Sequence, residues 1–232
     1  MSKTITLSPE TLSILKTIST INNSLAFKAG SVLKTVNESG TIIFDAEVAE
    51  SFPIDFNVYE LNKFLSILSL HAFKDAELVF EDGVDTHMII RSTNTAANIK
   101  FFFSRAEFTK HPGKDIVLPH ADVKFLLQQA VLDDFQKTAS ILGHKCIEIR
   151  VQNKRLSLIA GGSDLEGSND FTLDLGENEA EDFSAKIKLE NLKLVQGDYQ
   201  VSMLRKDKRG ISEFKHTTRK ITTFIALELF DN

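Results

Sequence analysis

The sequence predicts an α+β protein built from two similar domains, and three observations support that fold class. First, its 232 residues suffice for one large domain or for two of about 100 residues each. Second, short apolar runs bounded by glycine and asparagine dominate the chain, which is typical of antiparallel strands. Third, four segments repeat their apolar residues with the period of a helix, and the order of strands and helices in the first half recurs in the second.

The composition is that of an ordinary globular protein, with 42% hydrophobic and 25% charged residues. No apolar run approaches the roughly 18 residues that a membrane-spanning helix needs. The first residues also lack the continuous apolar stretch of a secretory signal. A lone cysteine, Cys146, cannot form an internal disulfide. We therefore expect a soluble, intracellular protein with no membrane partner, held together by packing alone.

The elements of the first half have clear local signals. Apolar runs at 24–28, 32–36 and 41–46, separated by turn-forming residues, predict a meander of antiparallel strands. The first helix begins with Ser8 as its N-cap and Pro9 at its first position, where a missing N–H group is tolerated. Its inward stripe consists of Leu12, Ile14, Leu15 and Ile18.

Three further helices are predicted from the same apolar period. The second spans about 59–70, and its inward residues are Leu61, Phe64, Leu65 and Leu68. The third is predicted to start after Pro119, and its inward residues are Val123, Leu126, Leu127 and Ala130. The fourth is short, about 189–195, and ends before Gly197.

The order of these elements repeats along the chain. Residues 3–104 and 115–230 both give the order strand, helix, four strands, helix, three strands. Between them lies the segment 105–114, whose His-Pro-Gly sequence is a turn signal suited to a linker. We therefore predict a first domain over 1–104, a linker over 105–114 and a second domain over 115–232, with two helices in each domain.

Acidic and basic residues are concentrated in different segments, which the net charge of the whole chain does not show. With 27 Lys and Arg against 32 Asp and Glu, the formal net charge of −5 argues by itself against a nucleic-acid binder. However, residues 156–185 contain eight acids and no Lys or Arg, so the rest of the chain has a net charge of +3. Residues 204–220 hold seven basic residues and two acids. This basic segment indicates either a solvated hairpin or a contact with DNA or a neighbouring subunit.

Few residues suggest catalysis. The Gly-Gly-Ser sequence at 161–163 lacks the second half of a nucleophile elbow. The Gly-Lys pair at 113–114 lacks the earlier glycine and the hydroxyl residue of a phosphate-binding loop. His144 and Cys146 could supply two metal ligands, but no partners with ligand spacing accompany them. We therefore expect no catalytic residue, no metal site and no cofactor, and we favour a binding or structural role over an enzyme.

Three consecutive phenylalanines, Phe101, Phe102 and Phe103, would alternate between the two faces of a strand. At least one of them must therefore point away from the core of its own domain. Either the strand is buried on both sides, or it lies at a sheet edge that another subunit completes.

The segment 58–70 reads Val-Tyr-Glu-Leu-Asn-Lys-Phe-Leu-Ser-Ile-Leu-Ser-Leu and is the most specific motif in the chain. Together with shorter matches, it closely resembles the sliding clamps of T-even-type bacteriophages. The shorter matching segments are 7–16, 20–22, 28–30, 75–77, 91–93, 191–194 and 197–199. The resemblance covers the whole chain and is clearest in its first half.

The resemblance implies a DNA-clamp fold related to proliferating cell nuclear antigen. Members form a closed ring of three two-domain subunits, with antiparallel sheets outside and twelve helices around a central hole. The implied function is that of a processivity factor without catalytic activity, which encircles duplex DNA and binds the C-terminal tail of the replicative DNA polymerase. An ATP-dependent clamp loader and late-transcription factors are further implied partners, and the host-cell cytoplasm is the implied location.

Lysines close to the predicted helices are the candidate DNA contacts. Contacts from lysines to phosphates are independent of base sequence and sensitive to salt. The assigned DNA-facing residues are Lys16, Lys63, Lys74, Lys124, Lys137 and Lys193. The predicted third helix has Gln128 and Gln129 where the resemblance would lead one to expect arginines, so other residues would have to make the DNA contacts.

The remaining site predictions concern proteins. Subunit contacts are expected between the edge strand near 99–104 and one near 171–175 of the next chain. The residues assigned to this interface are Phe101, Phe103, Phe171 and Leu173. A hydrophobic pocket for the polymerase tail is expected near the linker and the C-terminus, with Phe108, Val117, Leu118 and Phe230 as its residues.

The acidic total and the small number of helix lysines leave one competing hypothesis. In it, the chain is a non-catalytic phage structural or assembly protein that uses the same two-domain, β-rich scaffold without encircling DNA. Because eight acids are concentrated in one stretch, however, a ring with a negative total could still present a positive lining.

Overall fold

In a computed structural model, the chain separates into two units, residues 1–114 and 115–232. The structure describes residues 2–113, 115–161, 169–206 and 209–228. Both units combine antiparallel sheets with α-helices, so the predicted α+β, two-domain class is confirmed. None of the helices in these described ranges is long and apolar enough to cross a membrane.

The first unit contains eight strands and two α-helices among its described residues. Its elements are β1 (Lys3–Thr6), α1 (Pro9–Ile21), β2 (Leu25–Phe27), β3 (Gly30–Val36), β4 (Ile42–Phe52), β5 (Phe56–Val58), α2 (Leu61–Ser69), β6 (Glu77–Phe80), β7 (His87–Arg91) and β8 (Asn98–Phe102). Short 3-10 turns follow α2 and β8, at His71–Phe73 and Ala106–Phe108. The order strand, helix, four strands, helix, three strands is the predicted one.

The sheets of the first unit are antiparallel. One has the strand order β1-β6-β7-β8, in which Lys3 pairs with Phe80 and Met88 with Phe101. Strand β3 pairs with β4, and β2 with β5. The rings of Phe27, Phe52 and Phe56 pack against one another beneath these strands, with centroids 4.4 to 5.9 Å apart. This aromatic cluster joins the sheets into one core.

Helix α1 begins where its capping residues predict. The Ser8 hydroxyl accepts a hydrogen bond from the Thr11 backbone N–H at 3.2 Å, and Pro9 occupies the first turn. The Glu50 carboxylate on β4 accepts two further hydrogen bonds, from the Ser8 N–H and the Thr11 hydroxyl. Ile14 and the neighbouring apolar residues of α1 are buried, and the helix packs against α2 and β4. The start of α1 is therefore fixed by its own cap and by β4.

We expect the contribution of Glu50 to stability to depend on pH. Its partial burial would raise the pKa of the carboxyl, but the hydrogen bonds from Thr11 and Ser8 outweigh burial and lower that pKa. A carboxyl with a lowered pKa stabilises the folded state above its unfolded pKa, and this stabilisation is lost as the pH falls through the folded pKa. Glu50→Gln should cost about 1 kcal/mol near neutral pH, the size of a hydrogen bond, and less in acid.

The measurement is urea unfolding of both proteins between neutral pH and pH 3, followed by circular dichroism. Glu38→Gln, on an exposed turn of the same unit, is the control and should leave the free energy of unfolding unchanged. An equal loss for Glu50→Gln at every pH would contradict the assignment.

The second unit has eight strands and one α-helix among its described residues. Its elements are β9 (Val123–Leu127), α3 (Gln129–Ile141), β10 (Cys146–Gln152), β11 (Arg155–Ala160), β12 (Phe171–Glu177), β13 (Phe183–Lys188), β14 (Tyr199–Lys206), β15 (Arg209–His216) and β16 (Ile221–Ala226). A 3-10 turn, Leu189–Asn191, follows β13. One sheet has the order β12-β11-β10-β13, while β9, β14, β15 and β16 pair in a second one.

The predicted third helix is wrong at its start. Residues Val123–Leu127 form strand β9, which pairs with β14, and α3 begins only at Gln129. Apolar residues at 123, 126, 127 and 130 satisfy a helical period, but those at 123, 125 and 127 also satisfy the period of a strand. Pairing with β14, which is remote in sequence, decides between the two patterns. As a result Leu126 faces outward and is 51% exposed.

The predicted fourth helix, about 189–195, is also wrong, because only the 3-10 turn Leu189–Asn191 forms there. The Lys193 N–H bonds to the Asn191 carbonyl, two residues before it, so the i to i−4 hydrogen bonds of an α-helix do not continue past the turn. The Tyr199 hydroxyl donates to the Val195 carbonyl at 2.5 Å, and His216 Nε2 bonds to the Gln196 carbonyl at 3.1 Å. The expectation of two helices in each domain therefore fails for the second unit. Three such chains would bring nine α-helices from their described residues, and not twelve.

Candidate nucleic-acid and subunit interfaces

The outer face of α1 is polar and carries one lysine. Lys16, Ser13 and Thr20 are exposed on it, whereas Ile14 and Ile18 are buried beneath. The Thr20 hydroxyl donates to a backbone carbonyl of the helix at 2.7 Å, so its polar group is held close to the surface. Such a face offers hydroxyl groups and a single positive charge, which suits weak contacts to phosphate oxygens.

Helix α2 has a similar face, but its lysine has an acidic partner. Asn62, Lys63 and Ser66 are exposed, and Lys63 Nζ lies 3.3 Å from Glu60 Oε2. Both side chains of this pair are more than half exposed, so the ion pair contributes little stability. In the second unit, α3 exposes Lys137 together with Asp134. The helices therefore present a mostly neutral, polar surface with isolated lysines.

The structure brings only three of the six assigned DNA-facing lysines onto α-helices: Lys16, Lys63 and Lys137. Lys74 is exposed just after the 3-10 turn His71–Phe73. Lys193 is half-buried after the turn Leu189–Asn191.

The placement of Lys124 on a helix face is wrong. Lys124 lies on β9, where Val123 and Phe125 are buried in the core that also contains Phe135 of α3. Because successive side chains of a strand alternate between faces, Lys124 points to the face of the sheet opposite α3. It therefore does not share a surface with Lys137 of α3.

Each unit contains a sheet with one terminal strand that carries a row of half-buried apolar side chains. In the first unit this strand is β8, and the row is Ile99, Phe101 and Phe103. In the second unit it is β12, and the row is Phe171, Leu173 and Leu175. Both predicted interface segments therefore lie at a sheet edge, where unpaired backbone groups can add a further strand.

The three consecutive phenylalanines differ in their surroundings. Phe101 packs on Phe64 of α2 at a centroid distance of 5.3 Å, and Phe103 packs on Phe56 at 4.9 Å. Phe102 points to the other face and is 64% exposed, with Lys100 Nζ 5.1 Å from its ring centroid. The exposed member of the run is thus Phe102, which the sequence interpretation did not single out. The sequence did offer a signal for this exposure, because Phe102 stands two residues after Lys100 and therefore shares its face of the strand.

A groove with a volume of about 410 Å³ runs between α2 and β8. One wall consists of Tyr59, Glu60, Lys63 and Ile67, and Phe101 and Phe103 contribute to the other. No pattern in the sequence indicated this groove, because its walls come from segments that are about 40 residues apart and meet only through the sheet.

The residues assigned to the polymerase-tail pocket fall in different parts of the chain. Phe108, in the first unit, is 54% exposed and packs edge-on against Tyr59 with centroids 5.9 Å apart. In the second unit, Val117 is 81% exposed and Leu118 is half-buried. Phe230 lies outside the described residues. A pocket formed by these residues stays a prediction.

The two residues considered as metal ligands, His144 and Cys146, lie in the second unit and have other surroundings. His144 Nε2 lies 2.7 Å from the Asn169 carbonyl oxygen, and Cys146 is half-buried, which raises the pKa of its thiol. No group of three or more His, Cys, Asp or Glu side chains in the described ranges could hold a metal ion.

Comparison with solved structures defines the fold class. The proliferating cell nuclear antigen of Entamoeba histolytica superposes with a TM-score of 0.72 at 16% identity, covering 98% of each chain. The antigen of Thermococcus kodakaraensis gives a TM-score of 0.71 at 15% identity, covering 98% of this chain and all of the other. The two α+β units with their sheet edges therefore form the fold of a sliding clamp.

Comparison of sequences then identifies the family. The model described as "gp45 sliding clamp, C terminal" matches residues 124–229, and the model "DNA polymerase processivity factor" matches residues 8–101. The sliding clamp of Vibrio phage KVP40 is 28% identical over 214 residues, which cover 90% of this chain and 93% of the relative. The sliding clamp of Enterobacteria phage T4 is 28% identical over 215 residues, which cover 90% of this chain and 91% of that relative. The chain belongs to the sliding-clamp family of T4-type bacteriophages.

Proposed function

We propose that this chain assembles head to tail into a ring of three subunits, which encircles duplex DNA and holds DNA polymerase on its template. Family membership supports the processivity function and does not favour the alternative of a structural or assembly protein. The observation that carries the ring is the presence of two unlike sheet edges, β8 on the first unit and β12 on the second. Two different, complementary edges on one chain make a head-to-tail interface, which closes into a ring when the rotation permits.

Pairing of β8 with β12 of the next subunit would continue the sheet across the boundary. The half-buried rows on both strands would then lie on the same face and cover one another, which favours association through the burial of apolar surface. On the opposite face of the sheet, Lys100 of β8 is exposed, and Asp174 of β12 is paired with Arg155 of β11.

DNA would be held by the closed ring, and the protein surface would contribute only weak contacts. Lys16 on α1 and Lys137 on α3 are the best-placed cations on the polar helix faces, because Lys63 is paired with Glu60. Few phosphate contacts, none of them to bases, allow the ring to move along the duplex.

The protein partners follow from the same role. A processivity factor acts by tethering, so no catalytic residue, metal or cofactor is needed, and the chain itself would not be an enzyme. The C-terminal region of FEN-1 binds the nuclear antigen of A. fulgidus, a clamp that superposes on this chain with a TM-score of 0.67 at 9% identity. A polymerase C-terminal tail would bind this chain in a comparable way. A clamp loader that uses ATP and late-transcription factors are the further proposed partners, in the cytoplasm of the host.

The function is tested by primer extension on a primed circular template with the polymerase and loader of a T4-type phage. The protein should lengthen the products of a single binding event only when loader and ATP are present. Clamps loaded on nicked circular DNA should also leave when the DNA is cut to a linear form. Equal retention on circular and linear DNA would overturn the topological mechanism.

We expect reversal of both helix lysines to weaken DNA retention without opening the ring. Lys16→Glu with Lys137→Glu removes the proposed phosphate contacts, and the logarithm of the DNA affinity should depend less steeply on that of the salt concentration, by about 1 for each lysine reversed. Retention on nicked circles across a salt series measures this slope.

Lys215→Glu is the matched charge reversal for this experiment. Lys215 lies exposed on β15 next to Phe214, which is buried in the core with α3, so it points to the opposite face of its sheet. This control should retain the wild-type slope. The same slope for the double variant as for the wild type would remove Lys16 and Lys137 from the DNA contact.

A further inference from the structure

Ile141 is an exposed apolar side chain that belongs neither to the buried core nor to the edge strands β8 and β12. It lies in the last turn of α3 and is 83% exposed, more than any other large hydrophobic residue of the described ranges. A single exposed isoleucine is common on protein surfaces and means little by itself. Its position relative to the edge strand β12 gives it significance.

The contacts of α3 show which flank carries Ile141. Gln129 and Gln136 bond to the segment that leads into β14, with Gln129 Oε1 accepting from the Gly197 N–H at 2.6 Å. Phe135 packs instead on Phe171 of β12, with centroids 5.2 Å apart. Ile141 follows Gln136 by five residues, which is about 140° around the helix axis. It therefore lies on the flank away from Gln136, on the side of β12 and its edge.

The groove of the first unit has the corresponding position beside β8. Phe64 of α2 packs on Phe101, so α2 lies on the face of the sheet that carries the half-buried row of β8. The groove between them, about 410 Å³ in volume, is lined by Tyr59, Lys63 and Ile67 on the helix side. An isoleucine side chain is small enough to enter a space of this volume.

We propose that Ile141 of one subunit inserts into the α2–β8 groove of its neighbour and closes each interface of the ring. This inference rests on the proposed ring, because pairing of β12 with β8 brings α3 and the neighbour's α2 onto the same side of one continuous sheet. The occupant of the groove is thus a second copy of this chain. Glu60 also lines the groove and pairs with Lys63, so the choice of occupant rests on the apolar side chain of Ile141 and on continuity with the proposed β12–β8 interface, and not on charge.

Sedimentation velocity of Ile141→Asp over a range of concentrations tests the insertion. Loss of one buried isoleucine predicts that the dissociation constant of each interface rises about 10- to 100-fold. Leu126→Asp is the matched control, because Leu126 belongs to the same unit and is an exposed apolar residue of β9. The control should sediment as the wild type does. Circular dichroism should show that both variants are folded, because neither residue is part of the core.

Cross-linking tests the location directly. In a Cys146→Ser background, Ile141→Cys is combined with Ile67→Cys, and in a second protein with Lys63→Cys. A short bismaleimide should join subunits into covalent dimers and trimers in at least one of the two double variants, and Ile141→Cys alone should give none.

Three results are decisive. Trimers of Ile141→Asp as stable as those of Leu126→Asp, or no covalent product from either double variant, would overturn the insertion while leaving the ring intact. A wild-type protein that stays monomeric at every concentration would overturn both the insertion and the proposed function. Weakened Ile141→Asp trimers together with a covalent product would establish the contact.

Discussion

A Phe102→Asp variant is expected to sediment as separate subunits and to lose its stimulation of processive synthesis. Phe102 is 64% exposed on the outer side of β8, where pairing with β12 of a neighbour would cover it. The substitution removes apolar area and places a carboxylate in the proposed interface, where burial of a charge is costly. Loss of a buried phenylalanine, up to about 3 kcal/mol, corresponds to roughly a 100-fold weaker interface at each of three positions.

The choice of Phe102 over Phe103 matters for this experiment. Phe103 packs on Phe56 and Phe80, so an acidic residue there would disturb the fold as well as assembly. Leu126→Asp is the matched control, because Leu126 is also an exposed apolar residue on the outer side of a strand, in β9. Sedimentation and single-turnover primer extension should leave this control unaffected. A Phe102→Asp protein that remains a processive trimer would exclude β8 from the interface.

Phe135→Ala is expected to cost about 3–5 kcal/mol of stability in the second unit. Its side chain is fully buried among residues of α3 and both sheets of that unit. Since the total stability of a domain is about 5–15 kcal/mol, a large fraction of it would be lost. Phe135 also contacts Phe171, so the variant should loosen β12 and weaken the ring.

Urea unfolding followed by circular dichroism measures the loss. Lys137→Ala, on the exposed side of the same helix, should change the free energy of unfolding by less than about 0.5 kcal/mol. A cost below about 1 kcal/mol for Phe135→Ala would show that the core around α3 is not packed as described.

The sequence predicted elements well where the determining residues are close together. Helix α1 was identified because Ser8 and Pro9 stand next to the helix that they start. The misassigned β9 carries a pattern compatible with both helix and strand, and its pairing with the remote β14 decides the outcome. The predicted fourth helix ends after the 3-10 turn Leu189–Asn191, where the Lys193 N–H bonds to the Asn191 carbonyl and not to that of Leu189.

The site was less predictable than the fold. The segment that forms β8 could be assigned to an interface because Phe101, Phe102 and Phe103 cannot all face one core, and its expected partner near 171–175 followed from the family resemblance. The groove beside β8 could not, because Ile67 and Phe101 become neighbours only after the chain has folded. Nor did the sequence distinguish Ile141 from an ordinary core residue of an amphipathic helix. The placement of a lysine on a helix face was wrong where the helix itself was misplaced, as for Lys124, and the DNA contacts of the lysines stay predictions.

The charge on the edge strand β8 also affects which assemblies form. In a two-fold antiparallel pairing of β8 with β8 centred on Lys100, this side chain would meet its own copy, whereas Asp174 of β12 is already paired with Arg155 of the same chain. Repulsion between the two Lys100 side chains penalises this symmetric pairing, and pairing of β8 with β12 has no such cost. Pairing of β8 with β12 joins each subunit to the next in the same orientation. All subunits of a closed ring would therefore point the same way around the DNA, and the two faces of the ring would differ, so a protein that binds one face can be held facing the direction of synthesis.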